Sequence, residues 1–514
     1  MRDALGQASE RGEPVTPDDT RWLKTIDQLR RSLVTPENTA QFFRHRKAGD
    51  RAARVYEIYE QALRERNIMD FNGMILDTCR LVHQMAAVAA RIRQSYPYWL
   101  IDEFQDPTPA QYQLVRFLAG DEFKNVFAVA DDDQIIYQWA GASYRQIAAF
   151  RQHFSPDLMQ LVENRRCPPE IVQAANNLVA HNAERTPGKA PLVSTLPNTG
   201  PAISQRVFAT DADEASSTAN EIAGQGAKVW GQTAILGRTR AILQPVLEAL
   251  RKAGVTASIA TRRDRFVSPQ FVWLQCCLDQ SLRPIDRRVF TAMAGAANRI
   301  AGIELDAAIL AAEAESSGAS YLEYWALAAK NCNSEIASRL SDLALRLVQS
   351  RASWTKVVSE AIIWLPQTVA APKGIISDAD EDKAAWEAAA KAIRAEKGSQ
   401  PDLDELLRGI ALRPKEPPPD PKAVRLLTIH AAKGLEFDYV WLMGLAESIL
   451  PSWQSLKAGA PPAELEEERR NCFVAITRTK ECLVLSRAES YRGWRKEPSR
   501  FLVEMELLGE NNPA

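Results

Sequence analysis

Acidic residues twice close a short apolar run. Trp99-Leu100-Ile101 leads into Asp102-Glu103-Phe104-Gln105-Asp106, and Val126-Phe127-Ala128-Val129-Ala130 leads into Asp131-Asp132-Asp133-Gln134. Two adjacent carboxylates at the tip of a buried strand suit phosphate hydrolysis. One can hold Mg2+ through an oxygen or a water, and the other can orient and polarise an attacking water. Asp106 can equally cap a helix entered through Pro107, with the other acids exposed. The Gln134 amide can sense a terminal phosphate. Tyr137 and Trp139 follow at alternate, strand-like spacing, and exposed rings beside phosphate chemistry suit base stacking. An aromatic pair can also belong to a core.

Two arginine-bearing stretches lie further on. One is Asn164-Arg165-Arg166-Cys167; the other is Glu467-Glu468-Arg469-Arg470 running into Ala475-Ile476-Thr477-Arg478. A guanidinium that reaches a transferring phosphoryl group neutralises charge in the transition state; a surface ion pair is the plainer reading. The run Thr428-Ile429-His430-Ala431-Ala432-Lys433-Gly434-Leu435-Glu436 sets hydroxyl, imidazole and ammonium donors around a glycine. Such donors suit nucleic-acid phosphates, and Glu436 can accept from a ribose hydroxyl. The alternative is a strand-to-loop turn with Lys433 exposed.

These residues need strand tips to present them. Short apolar runs alternate with amphipathic helical runs, as in parallel α/β proteins that carry function at the carboxyl ends of strands. Residues 1–90 read as helical, strands begin near Trp99, and helical patterns dominate again over 268–412. The proline-rich stretch 413–423 ends that region, and strand-like runs resume at VRLLTIH, DYVWLMGL and ECLVLSRA. A chain of 514 residues with 46% apolar and 25% charged residues is long enough for several cores. Net charge is −2, which excludes a histone-like basic coat but leaves room for local basic grooves. Seven scattered cysteines form no C-x-x-C pair, against a zinc ribbon. No apolar run reaches 18 residues and the N-terminus lacks a signal-peptide core, so a cytoplasmic location away from membranes is expected.

In order and wording, these stretches resemble motifs II to VI of the UvrD/Rep/PcrA-type superfamily 1 DNA helicases. DEFQDP resembles the family's DEYQDT, ADDDQIIYQWAGA its GDxDQSIYxWRGA, and NRRC its NYRS. TIHAAKGLEF resembles TxHxxKGLEF, and EERRNCFVAITRT resembles EERRLxYVAxTRA. The resemblance runs from about residue 50 to 505. It implies two RecA-like parallel-sheet domains, the first incomplete, with helical 1B- and 2B-like insertions. The implied divisions are 1–90 (1B-like), 91–155 (C-terminal half of the first RecA-like domain), 156–265 (second RecA-like domain, first part), 266–422 (2B-like) and 423–514 (second RecA-like domain, second part).

The resemblance also implies roles. ATP and Mg2+ are the implied cofactors. Asp102 would hold Mg2+, Glu103 would activate water, and Gln134 would couple the γ-phosphate to motion. Arg166 and Arg478 would be arginine fingers, and Glu436 would touch the nucleotide sugar. Tyr137 and Trp139 would stack on bases of single-stranded DNA, with Thr428 and His430 along the same strand. The implied activity is 3′–5′ translocation and unwinding at single-strand/duplex junctions.

Three positions depart from the family pattern: Ala140 replaces an arginine, Ala130 a glycine, and Arg165 the tyrosine of NYRS. The family's Q-motif and G-x-x-x-x-G-K-[ST] loop do not occur, and Gly188-Lys189 is followed by Ala190. The chain is therefore expected to start inside the 1B insertion, truncated before the Walker A loop. A separate chain supplying that segment is one expected partner, and a nuclease is another. The expected function is an ATP-dependent DNA helicase polypeptide. The alternatives are a DNA-binding regulatory remnant without turnover, or a subunit of a helicase–nuclease complex, for which no C-terminal D…ExK cluster is found.

Overall fold

The computed structural model describes residues 2–16, 19, 21–259, 265–369, 377–416, 418 and 420–509. Pro417 and Pro419 of the proline-rich stretch and the last five residues of the expected 423–514 division lie outside them. The chain divides into two units, one formed by residues 1–257 with 424–514 and the other by 258–423.

The first unit is an α/β assembly built on parallel strands, the class expected from the alternating pattern. Its N-terminal part is helical, with helices Arg21–Arg31, Arg46–Glu65 and Phe71–Gln84 among them. Two sheets follow. Strand β1 (Trp99–Ile101) pairs in parallel with β2 (Val126–Ala128), Leu100 opposite Phe127. One face of this pair packs Trp99, Ile101, Val126 and Ala128 on a core of Phe104, Tyr112, Ile147, Phe150 and Phe154. The other face is open, with Leu100 81% and Phe127 58% exposed.

The larger sheet contains β3 (Ile203–Thr210), β4 (Thr233–Gly237), β5 (Val424–Thr428), β6 (Phe437–Leu442) and β7 (Thr479–Tyr491). These run parallel in the order β3-β7-β6-β4-β5. The central strand β4, TAILG, is buried at every position, as a strand covered on both faces requires. Strand β3, SQRVF in its middle, carries alternate exposed residues and sits at the side of β7.

The second unit, 258–423, is helical among its described residues apart from the strand residues at its start. Its core sets large rings, Phe271, Trp273, Phe290, Trp325 and Trp386, against alanines such as Ala294, Ala297, Ala326 and Ala344. Small residues beside large ones let neighbouring helices approach closely. Ser268, Asp286, Asp306, Ser320, Ser334, Ser377 and Asp402 each cap a helix N-terminus by accepting a backbone N–H. No helix among the described residues is long and apolar enough to cross a membrane.

Candidate active site

The residues singled out above all fall in the first unit. Asp102 and Glu103 leave the tip of β1 and are exposed. Glu103 has φ 51°, in the left-handed region, which costs a non-glycine residue on the order of 1–3 kcal/mol. The turn is fixed from several sides. Asp102 Oδ1 accepts from Glu103 N (2.9 Å), Phe104 N donates to Val129 O (2.8 Å), and the Phe104 ring is buried below. Gln105 Nε2 donates to Glu103 Oε2, and Gln105 Oε1 accepts from Asp131 N at 3.1 Å, which ties the two acidic tips together. The second Asp102 oxygen meets no hydrogen-bond donor among the described residues. An exposed carboxylate with a free oxygen fits Mg2+, a hard cation that keeps several waters.

Asp106 does not cap the next helix. Thr108 does, in a capping box with Gln111. Asp106 instead takes both oxygens to Lys433 Nζ, each at 2.6 Å, and the same ammonium donates to Gln134 O at 2.9 Å. Lys433 is thus buried rather than exposed, with its charge 5.0 Å above the Tyr137 ring. Burial raises the Asp106 carboxyl above the usual range, against the opposing pull of Lys433.

The second acidic tip is also neutralised. Asp131, Asp132 and Asp133 converge closely enough to hold a cation, their oxygens within 4.8 Å of one another. Lys189 Nζ sits there, 2.6 Å from Asp131 Oδ1 and 2.8 Å from Asp133 Oδ2, and it also bonds Asp132. Arg185 forks onto Asp133 at 2.8 Å twice. Burial alone would raise the Asp132 carboxyl, but Lys189 and the Thr186 amide outweigh it and hold the group low. Gln134 Nε2 donates to Asp131 Oδ2 (2.8 Å). Arg185 and Lys189 carry no short-range sequence signal for this role; the nearest hint is that buried acids require cations.

Arg478 follows the end of helix Pro462–Ile476, and Arg166 lies in the turn after Glu163–Asn164. Arg478 is buried, with Nε on Val474 O, Nη1 on Leu435 O and Nη2 on Thr477 Oγ1. Burial and the like charge of Arg166 push it down to about 10, while Cys167, Asp131 and Glu103 draw it up. It therefore stays charged at neutral pH, within electrostatic reach of both acidic tips. Arg166 Nε pairs with Glu436 Oε2 at 2.8 Å, and Lys480 holds the other Glu436 oxygen at 2.9 Å. Lys480 and then Arg166 hold the Glu436 carboxyl below the usual range. Arg165, in place of the family's tyrosine, points away to an exposed pair with Glu163.

Gln138–Ala140 forms a 3-10 turn rather than a strand, closed by Gly141 at φ 104°. A Cβ on Gly141 would sit 3.2 Å from Pro109 Cδ, a second reason for glycine there. The turn separates the two rings. Trp139 is 70% exposed, whereas Tyr137 is half-buried and donates its hydroxyl to His430 O. His430 Nε2 faces Ile136 O at 3.0 Å and so carries the ring proton. Burial first, then Arg238, lowers its pKa, which favours the neutral ring. Thr428 caps the one-turn helix Ile429–Ala432. The turn is further pinned by Glu467, whose Oε1 accepts from Gln138 N at 3.2 Å. Burial pushes the Glu467 carboxyl up to about 7. Neighbouring Glu468 forks onto Arg238 and accepts from Ser452 N.

The profile of the UvrD/REP helicase N-terminal domain matches residues 4–155, and that of the UvrD-like helicase C-terminal domain matches residues 384–490. The chain is 27% identical over 521 residues to the ATP-dependent DNA helicase PcrA of Bacillus subtilis (strain 168), covering 96% of this chain and 69% of that protein. It is 27% identical over 517 residues to the ATP-dependent DNA helicase PcrA of Staphylococcus epidermidis (strain ATCC 35984), covering 94% and 68%. It is 28% identical over 483 residues to the DNA helicase II of Haemophilus influenzae, covering 88% and 64%.

Proposed function

Since the chain belongs to the UvrD/Rep/PcrA-type family of superfamily 1 helicases, we propose that it is the motor polypeptide of an ATP-dependent DNA helicase that tracks 3′ to 5′ along single-stranded DNA. The observation that carries this reading is that the Arg478 guanidinium lies within electrostatic reach of Glu103 and Asp131, with Arg166 near it. Asp102 and Glu103 are exposed beside each other, and Arg478 feels both acidic tips and the like charge of Arg166. That is the charge pattern a transferring phosphoryl group needs.

In this reading Asp102 holds Mg2+, Glu103 orients the attacking water, and Gln134 reports the terminal phosphate. Arg166 exchanges Glu436 for phosphate oxygens, and Glu436 is then free for the nucleotide sugar. Arg478 leaves its backbone acceptors to reach the same group. Trp139 stacks on a base, and Tyr137, Thr428 and His430 transmit the state of the site to the strand. The hydrogen bonds between Tyr137 and His430 and between His430 and Ile136 supply the link.

The 514 residues contain no G-x-x-x-x-G-K-[ST] pattern, so two measurements are kept apart. The 514-residue polypeptide is expected to bind single-stranded DNA with salt-sensitive affinity and to turn over little or no ATP. Fluorescence anisotropy with a labelled oligothymidylate tests the first, and phosphate release with and without DNA tests the second. Absence of salt-dependent DNA binding would overturn the proposal. Robust DNA-stimulated hydrolysis would refute the expected low turnover and strengthen the motor reading.

A further inference from the structure

We propose that Trp453 and Lys457 form a second nucleobase platform beside Trp139, on the same single strand. This rests on the DNA-binding reading above and extends it to a loop that none of the motif resemblances covers.

A single exposed tryptophan is unremarkable on a protein surface. Trp453, 54% exposed, differs in how it is held. The loop that carries it is anchored below by buried Leu450, whose carbonyl accepts from Ser499 Oγ at 2.6 Å. Next to the ring in sequence, Ser452 N donates to Glu468 (3.2 Å) and Ser455 Oγ donates to Ser452 O (2.8 Å). Lys457 Nζ lies 3.6 Å from the ring centroid, covering one face with positive charge. A large flat ring thus stands in solvent on a fixed base, with little conformational freedom left to lose on binding.

The second observation is the pairing with Trp139. The residue before Trp139 is held through its amide by Glu467, and the residue before Trp453 is held through its amide by Glu468. Glu467 and Glu468 are consecutive on one helix, so both loops are tied to the same turn of it. Both loops then expose a tryptophan as the next residue. Two rings with one charged neighbour suit an unpaired strand, whose bases stack and whose phosphates seek cations. Arg238, which forks onto Glu468, keeps that carboxylate from repelling the strand.

The test compares wild type with Trp453→Ala, Trp453→Phe, Lys457→Met and Trp139→Ala. Binding to oligothymidylate and to an abasic strand of equal length is read by anisotropy over a salt series. Trp453→Ala is expected to weaken oligothymidylate binding about five- to a hundredfold. It should have little effect on the abasic strand, and Trp453→Phe should recover most of the affinity. Lys457→Met should flatten the salt dependence by roughly one phosphate contact. Because Trp453 is exposed, folding is not at risk. If Trp139→Ala weakens binding while Trp453→Ala leaves it unchanged, this inference falls and the DNA-binding reading stands. An equal loss on the abasic strand also overturns it, since stacking is then not the contact. If the wild-type chain binds no single strand, both fall.

Discussion

Glu467 offers a pH-dependent test of how the Gln138–Ala140 turn is held. Its carboxyl is half-buried at the junction between the helix Pro462–Ile476 and that turn, with Glu468 adding like charge and Arg238 and Arg470 opposing it. The displacement from an ordinary 4.5 to about 7, at 1.36 kcal/mol for each pH unit, makes ionisation in the folded state cost about 3 kcal/mol. The raised folded-state value fixes the sign. The stabilising contribution of the neutral acid is fully present below pH 4.5 and is lost as pH rises through about 7. Glu467→Gln keeps an oxygen for the Gln138 amide and cannot ionise. Urea unfolding of both proteins from pH 5 to 8.5 should give nearly equal stabilities at the acid end. The variant should gain on wild type through pH 7, approaching about 3 kcal/mol at the alkaline end. Parallel stability curves across that range would refute the burial argument and place the carboxyl in water.

Trp139→Ala should weaken single-stranded DNA binding by about 1–3 kcal/mol, measured by anisotropy; an unchanged affinity removes Trp139 from the strand's path. Lys189→Ala leaves Asp131 and Asp132 without their ammonium, only Asp133 keeping Arg185, and should lower stability to urea by about 3–5 kcal/mol, with Lys189→Arg recovering part. A loss under 1 kcal/mol would mean the acids are solvated. Glu214→Ala removes the acceptor of Ser486 Oγ (2.6 Å), Tyr491 Oη (2.7 Å) and Gly444 N (3.2 Å), and should cost about 2–4 kcal/mol in urea unfolding; a smaller loss would mean water replaces the carboxylate. Asp382→Ala in the helical unit removes the acceptor of Val267 N, Ser268 N and Ser268 Oγ. It should destabilise that unit by about 2–3 kcal/mol without changing DNA affinity, which unfolding and anisotropy on the same preparation can check.

Much of the fold was readable because its signals are local. TAILG, VRLLT and FDYVWL are short apolar runs between helical patterns, and each is a strand. The helix starts of 258–423 announce themselves as serine or aspartate caps. Strand β3 was less visible because SQR opens its middle and only one side of it is buried. At the site, strand-tip acids and arginines stood out by type, whereas their partners did not. Lys433 looked like an exposed loop residue, and nothing within a few residues of Lys189 pointed to acids more than fifty positions earlier. Such pairs are set by tertiary approach, and no periodicity encodes them. Tyr137 and Trp139 looked equivalent at alternate positions until the 3-10 turn rotated one inward.

The order of strands in the larger sheet constrains how the protein is made. Strand β4 takes both of its neighbours from chain that follows the helical unit. Roughly 190 residues separate β4 from β5, which at about 5–20 residues per second is a wait of roughly 10–40 s on the ribosome. During that interval a strand that is fully buried in the finished fold has neither edge partner, while the helical unit, rich in local contacts, can form as soon as it emerges. Slowing translation across residues 258–423 should therefore lengthen the time for which TAILG is open to chaperones or to aggregation, and speeding it should raise soluble yield.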